Sequence, residues 1–398
     1  MNFWFNFGTV ALWITIFFFI TKFDPYLNLK LCLLALVIYL IPAFYLPTIP
    51  DVGLFETVGI KLIERVDFYA FDGNNHGTFP FLPFMNWFYA VAHILSNEVG
   101  LKFIFIVRLV MIGALFGTTI LIGKLNVKKQ SGKDQLFFLF NPINLLLVSF
   151  HGQADILLFF FVLAAVFYLS KKHKSIIKSA MAISLSVLTK TWSVIFIPLF
   201  LIKIKKSSHL GLWLLTLLII TILFTGFYVR LFHSSFALLV ETLTSHTGGA
   251  SGFWGYTGFL RLISEFRPSI IWSINSLEDK SMHILIVAFL VAFAIIVKKR
   301  IPLLPSMVIL VLTFILITPG WGLQYTTWVL PFAAASGMGK AVRTYSYFAL
   351  PYLAFSYLLL VSGYSNKESL TIISIALGFP VWTYAAHWLV QLVKRQYP

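Results

Sequence analysis

Residues 203–232 read KIKKSSHLGLWLLTLLIITILFTGFYVRLF: three lysines, then an apolar run from Leu210 to Phe232 whose one charge is Arg230, close to its far end. At a rise of about 1.5 Å per residue, such a run exceeds a hydrocarbon layer of roughly 30 Å. It predicts a membrane-crossing helix with its lysine end in the cytoplasm. The same alternation of apolar run and short basic cluster recurs from residue 7 to residue 393, leaving no stretch for a sizeable soluble domain. Hydrophobic residues make up 59% of the 398 and the mean hydropathy is +0.89, more than a water-soluble core absorbs. The net charge of +16 is spread over clusters between the runs, so it reads as topology and not as a nucleic-acid surface. The single cysteine, Cys32, lies in an apolar run, so no disulfide staples an external loop. Met1 to Phe7 lack the basic region and cleavage site of a secretory signal, so the first apolar stretch counts as a helix.

Seven basic clusters are assigned to the cytoplasm: Lys22/Lys30, Lys124/Lys128/Lys129/Lys133, Lys171/Lys172/Lys174/Lys178, Lys203/Lys205/Lys206, Lys298/Lys299/Arg300, Lys340/Arg343 and Lys394/Arg395. The connections left outside start with acidic, His or aromatic residues. The expectation is an all-α, polytopic integral membrane protein, one transmembrane domain over 1–398, with the N-terminus outside and the C-terminus inside. About 11 full spans fit, near 7–21, 31–49, 99–123, 136–150, 156–170, 210–232, 283–297, 301–318, 325–339, 344–362 and 370–393. The stretch 179–202 is basic on both sides, so it is expected as a broken helical hairpin of 179–189 and 192–202 meeting at Thr189-Lys190-Thr191; a single helix with a snorkelling Lys190 is the alternative. Two external segments are long enough to be structured. Residues 51–97 hold amphipathic runs at Leu54–Val66 and Phe84–Leu95 around a turn-rich centre. Residues 233–282 hold a glycine-rich stretch, 247–258, whose composition suits a mobile cover.

Three places carry candidate chemistry. Asp51 follows Pro47-Thr48-Ile49-Pro50 at an external helix start, where it either caps free N–H groups or offers a carboxylate at the membrane surface. His151-Gly152-Gln153-Ala154-Asp155 crowds three polar side chains into one external turn, which reads as turn chemistry or as a polar pocket. Gln324 and Tyr325, within a Trp-rich stretch, form part of an aromatic belt or bind sugar hydroxyls. His151 and Asp155 at i, i+4 beside Gly152 make a poor metal site, and no P-loop or dinucleotide fingerprint is present, so neither a metal nor another cofactor is expected.

In this order the motifs resemble the GT-C superfamily of membrane glycosyltransferases. Asp51 opens the first large external loop, and Phe79-Pro80-Phe81-Leu82-Pro83 looks like the family's Tyr-Pro-Pro-Leu element. Asn141-Pro142 followed by His151 to Asp155 is similar to its His-Gly-Gln-Phe-Asp pattern, with Ala154 in place of the aromatic residue. The lysine of Leu188-Thr189-Lys190-Thr191 and a late Gln324-Tyr325…Trp328…Pro331-Phe332 complete the set, although here an extra span precedes the acidic residue. The resemblance implies an inverting transfer of a hexose, with mannose as the implied sugar, from a polyprenyl-phosphate donor to a lipid-linked or cell-wall glycan acceptor. Asp51 is then the general base. Lys190 neutralises the leaving phosphate, helped by His76, His151, Arg230 or Arg261, while Gln153, Asp155, Gln324 and Tyr325 bind substrate. The expected location is a prokaryotic plasma membrane with the site facing the non-cytoplasmic side. A transporter or lipid flippase is the rival class, because an intramembrane cation in a broken helix serves it equally well.

Overall fold

The computed structural model of the chain describes residues 12–17, 27–46, 50–71, 81–126, 131–170, 174–245, 250–251, 254–318, 320–362 and 367–396. Almost all their regular structure is helical; the exception is an antiparallel ribbon pairing Ala250–Ser251 with Gly320–Trp321. Among the described residues, four helices are long and apolar enough to cross a membrane: Phe103–Leu125, Ser207–Phe232, Ser281–Lys298 and Ile372–Lys394. Shorter apolar helices include Leu29–Tyr45, Asp155–Leu169, Ile176–Thr189 and Leu303–Ile317. The protein therefore has the character of a helical membrane protein. Two expected spans are not continuous helices. The one at 136–150 breaks at Asn141 between helices Ser131–Leu139 and Pro142–Leu145. The one at 325–339 starts as a 3-10 turn, Leu323–Thr327, before a short helix, Leu330–Ala335. Proline explains both, since Pro142 and Pro331 lack the N–H that a continuing helix needs and are tolerated at a helix start. Of the span at 7–21, only the helical residues 12–17 are described.

The contacts divide the chain into two compact units. They switch at 26/27, 127/128, 143/144 and 246/247. One comprises 27–127 and 144–246. Its helices Phe103–Leu125 and Asp155–Leu169 pack together, as do Asp155–Leu169 and Ile176–Thr189, and the last of these also packs on Ser207–Phe232. Small residues allow the close approach: Ser179, Ala180, Ala182, Ser184 and Ser186 are buried along Ile176–Thr189, and Ser186 Oγ donates to the Leu158 carbonyl at 3.4 Å. Lys124 and Lys178 lie over the Phe167 and Tyr168 rings at 5.4 and 5.7 Å, which marks one end of this bundle as basic.

The two amphipathic runs of this unit form helices Pro50–Ile63 and Pro83–Val99, packed on each other. Gly59 sets their approach, because a Cβ there would meet the Tyr89 carbonyl oxygen at 2.6 Å. Between them, Asp67 accepts from Tyr228 Oη at 2.9 Å and from the Tyr69 amide at 3.1 Å, and the Phe68 amide donates to Tyr228 Oη at 3.0 Å. These bonds fasten the linker to the Ser207–Phe232 helix.

The other unit comprises 1–26, 128–143 and 247–398. Its long helices Gly339–Ser362 and Lys367–Lys394 pair, and Ser281–Lys298 packs on Leu303–Ile317. Asn141 Nδ2 donates to Ser346 Oγ at 2.7 Å, tying the helix break to Gly339–Ser362. Residues 246–249 and 252–253 of the expected mobile cover lie outside the described residues, whereas the chain from Trp254 onward is pinned. Trp254 is buried, its Nε1 donates to the Ile315 carbonyl at 2.8 Å, and Gly255, at φ +56°, takes a left-handed turn against the Trp382 ring.

The Gly59 contact yields a paired prediction. Gly59→Ala forces backbone apart and should cost about 1–3 kcal/mol, read as a lower thermal unfolding temperature in detergent. Gly53→Ala on the same helix meets nothing within 4 Å and should be neutral or stabilising.

Candidate functional site

The cluster at Lys190 starts from a helix that cannot continue. Lys190 is extended, at φ −148° and ψ 125°, and ends the Ile176–Thr189 helix; a 3-10 turn, Thr191–Phe196, comes next, and a new helix starts at Ile197. Pro198 accounts for the restart, because its ring would collide with the Val194 carbonyl of a continuous helix. Neither helical piece alone reaches across a hydrocarbon layer: the longer, of 14 residues, spans about 21 Å. The break at Lys190 matches the sequence expectation.

The partner segment is also irregular. After Pro142–Leu145 the chain widens into a π-helix, Leu146–His151, a rare form that recurs at functional sites. It ends at Gly152, whose φ of +80° suits glycine and whose place leaves no room for a side chain: a Cβ would lie 2.9 Å from Ile104 Cδ1 and 3.4 Å from Arg108 Cγ. Gly152 and Gln153 both donate to the Leu147 carbonyl, closing the turn. Asp155 then opens the Asp155–Leu169 helix, where its charge meets the positive end of the dipole.

These local choices bring one polar chain together. Lys190 Nζ is 2.6 Å from Asp155 Oδ2 and 3.3 Å from Gln153 Oε1, and Gln153 Nε2 is 2.7 Å from His151 Nε2. The Phe81 ring centroid lies 5.4 Å from Lys190 Nζ, within cation–π range. Lys190 is 7% exposed and Asp155 0%, so each charge relies on the other. Phe81 is held in turn by Tyr69, whose hydroxyl donates to its carbonyl at 2.7 Å. Burial, with Tyr228 and Asp67 adding, keeps the Tyr69 phenol well above its usual range and therefore a donor.

Helix geometry gives the distance of the pair from the basic end. At about 1.5 Å per residue, Asp155 lies roughly 20 Å along its helix from Tyr168, and Lys190 about 18 Å along its own from Lys178. Both lengths start at the basic end. The pair thus lies about 18–20 Å from the basic end of this bundle.

One residue that the sequence reading passed over completes the site. Arg108, within Phe103–Leu125, is fully buried, and its Nη1 donates to the carbonyls of Ala43 at 2.9 Å and Leu46 at 3.0 Å, while Nη2 donates to the carbonyl of Phe150. The first two close the Leu29–Tyr45 helix, where carbonyls lack helical partners and the dipole is negative. One guanidinium therefore ties the chain just before the Asp51 helix to the residue just before His151. The available signal was a lone arginine inside an apolar run, which rarely lacks a role at that depth.

The remaining candidates are more scattered. Asp51 is the second residue of Pro50–Ile63, in the same unit, with its side chain outside the described residues, as is all of His76. Arg230 stands exposed in the last turn of Ser207–Phe232 and lines a surface pocket with Gly226, Val229, His233 and Ser234. Arg261, Gln324 and Tyr325 belong to the other unit. Arg261 Nη2 pairs with both Glu278 oxygens, at 3.1 and 3.0 Å, and the buried Tyr325 ring packs on Phe314 and Trp328.

The ion pair makes a thermodynamic cycle informative. Lys190→Met or Asp155→Leu alone leaves a buried charge stranded and should cost about 3–5 kcal/mol, whereas the double variant should recover at least ~2 kcal/mol of the summed loss, measured by unfolding in detergent. Strict additivity would show that the two charges do not support each other. Comparison of the chain with family models, with curated proteins and with solved structures returns no match.

Proposed function

We propose that the chain is an inverting glycosyltransferase. It moves a hexose, with mannose as the sugar suggested by the resemblance, from a polyprenyl-phosphate donor to a lipid-linked or cell-wall glycan acceptor at the face opposite the basic clusters. One observation carries the reading: elements far apart in sequence converge on a single polar cluster. Lys190 touches Phe81, Gln153 and Asp155, and Arg108 binds both the chain ahead of Asp51 and the chain ahead of His151. These are the stretches on which the GT-C resemblance rests.

The chemistry asks for few groups. The acceptor O–H gives its proton to the Asp51 carboxylate as its oxygen bonds to the anomeric carbon, and the bond from that carbon to the donor phosphate oxygen breaks with its electron pair. The departing phosphate gains charge and must meet fixed cations. An ammonium carries three N–H donors, of which Asp155 and Gln153 take two, so Lys190 retains one for a phosphate oxygen. His151, held by Gln153, adds a second group on the same side. The Asp155 carboxylate, 2.6 Å away, holds the lysine in place when no donor is bound.

The closed Lys190–Asp155 pair beside a helix break also suits ion-coupled transport or lipid flipping, the second reading. Purified protein given radiolabelled polyprenyl-phosphate mannose and candidate acceptors separates the two. The enzyme forms product, and Asp51→Asn should lower turnover by roughly 10²–10⁴-fold with donor binding retained, while Lys190→Ala should weaken both. Near-normal turnover in Asp51→Asn would remove the assigned base. Donor that crosses the bilayer unchanged, with no product, would favour the flippase.

A further inference from the structure

The unit formed by 1–26, 128–143 and 247–398 contains a cavity of about 810 Å³ that the proposed transfer does not use. Five cations line it: Lys133, Lys340, Arg343, Lys394 and Arg395. Asp134, the one carboxylate among the described lining residues, is buried. It lies against Gly339 at the start of the Gly339–Ser362 helix, so closely that a Cβ on Gly339 would overlap Asp134 Oδ1. A carboxylate there answers the positive helix end. Lys340 in the same first turn and Arg343 just beyond it add positive charge where the dipole already disfavours it, and Lys394 and Arg395 bring two more cations from the end of Lys367–Lys394. Lys299 Nζ donates to the Val393 carbonyl at 2.6 Å, so the 298–300 cluster adjoins the same end. Among the described lining residues, cations outnumber carboxylates, which favours an anionic ligand.

We propose that this cavity binds the phosphate of an anionic phospholipid. Arg343 is placed for a phosphate by its stacking over Phe137, 5.7 Å from the ring centroid, and offers a planar fork of donors. The shape of the surroundings favours a lipid over a free anion. Tyr384 and Trp388 line the cavity and are residue types that settle where hydrocarbon meets water. Phe348, one turn beyond Thr344, and Val390, next to Gln391, are 41% and 48% exposed, giving acyl chains an apolar surface beside the cations. Basic recesses among membrane helices bind anionic headgroups through this combination.

The test weighs retained lipid. Protein reconstituted into bilayers of equal parts phosphatidylcholine and phosphatidylglycerol is released into mild detergent and examined by native mass spectrometry. Wild type should retain phosphatidylglycerol over phosphatidylcholine by roughly ten-fold or more. K340Q/K394Q, at two exposed positions, should lose on the order of ten-fold of that preference, and K340R/K394R should keep it. If the double glutamine variant does not fold, Lys394→Gln alone takes its place. A second arm adds inorganic phosphate or chloride at matched ionic strength. Lipid that is retained in excess inorganic phosphate supports a site that also holds acyl chains, and full release of the lipid by phosphate but not by chloride overturns the lipid site in favour of a free-anion site. Equal retention of both lipids by wild type, or full preference in the glutamine variant, overturns the proposal as well.

Discussion

An ammonium ion and a carboxylate buried among apolar helices are each costly alone, and the cost is recovered only when they sit within hydrogen-bonding distance and their other bonds are met. Lys190 and Asp155, 2.6 Å apart with Gln153 and His151 extending the chain, meet that condition. The surrounding backbone departs from regular helix wherever the condition demands it. The Ile176–Thr189 helix stops one residue short of Lys190, the π-helix and left-handed Gly152 turn Gln153 toward the ammonium, and Asp155 takes the first position of its helix. A uniform bundle of straight helices would place these groups on separate faces.

Arg108 extends the same logic to the backbone. Arg108, fully buried, donates to carbonyls at the end of the Leu29–Tyr45 helix and at Phe150, where the surrounding side chains keep water away. Five N–H donors on one rigid plane answer several carbonyls at once, which a lysine cannot do. By doing so the guanidinium fixes the approach to Asp51 against the approach to His151. The end of the Leu29–Tyr45 helix and the residue ahead of His151 are thereby tied together although more than 90 residues separate them in sequence.

The parts legible in the sequence are those set by local charge and hydropathy. Apolar runs bounded by lysines give the helices at 103–125, 207–232 and 281–298, and basic residues on both sides of 179–202 mark the break at Lys190. The amphipathic runs after Asp51 and the polar turn at 151–155 are likewise visible as patterns. What escaped depends on distance. Arg108 is bonded to carbonyls, which every residue has, so no sequence pattern points to its partners. Arg261 looks like an available cation until Glu278, 17 residues on, is seen to hold it. The division into two units depends on contacts between segments over a hundred residues apart, and the π-helix at 146–151 has no compositional mark of its own.

A transfer reaction at the non-cytoplasmic face requires the cluster around Lys190 to open opposite the lysine-rich end, about 18–20 Å away along two helices. A chain with one native cysteine allows a direct measurement: His151→Cys in a Cys32→Ser background, reconstituted into sealed vesicles of known orientation, is treated with a membrane-impermeant thiol reagent from each side in turn. Labelling only from the side opposite Lys124 and Lys178 is the predicted result. Labelling from the lysine side would contradict it, because the polar cluster would then face the wrong compartment for everything built on it.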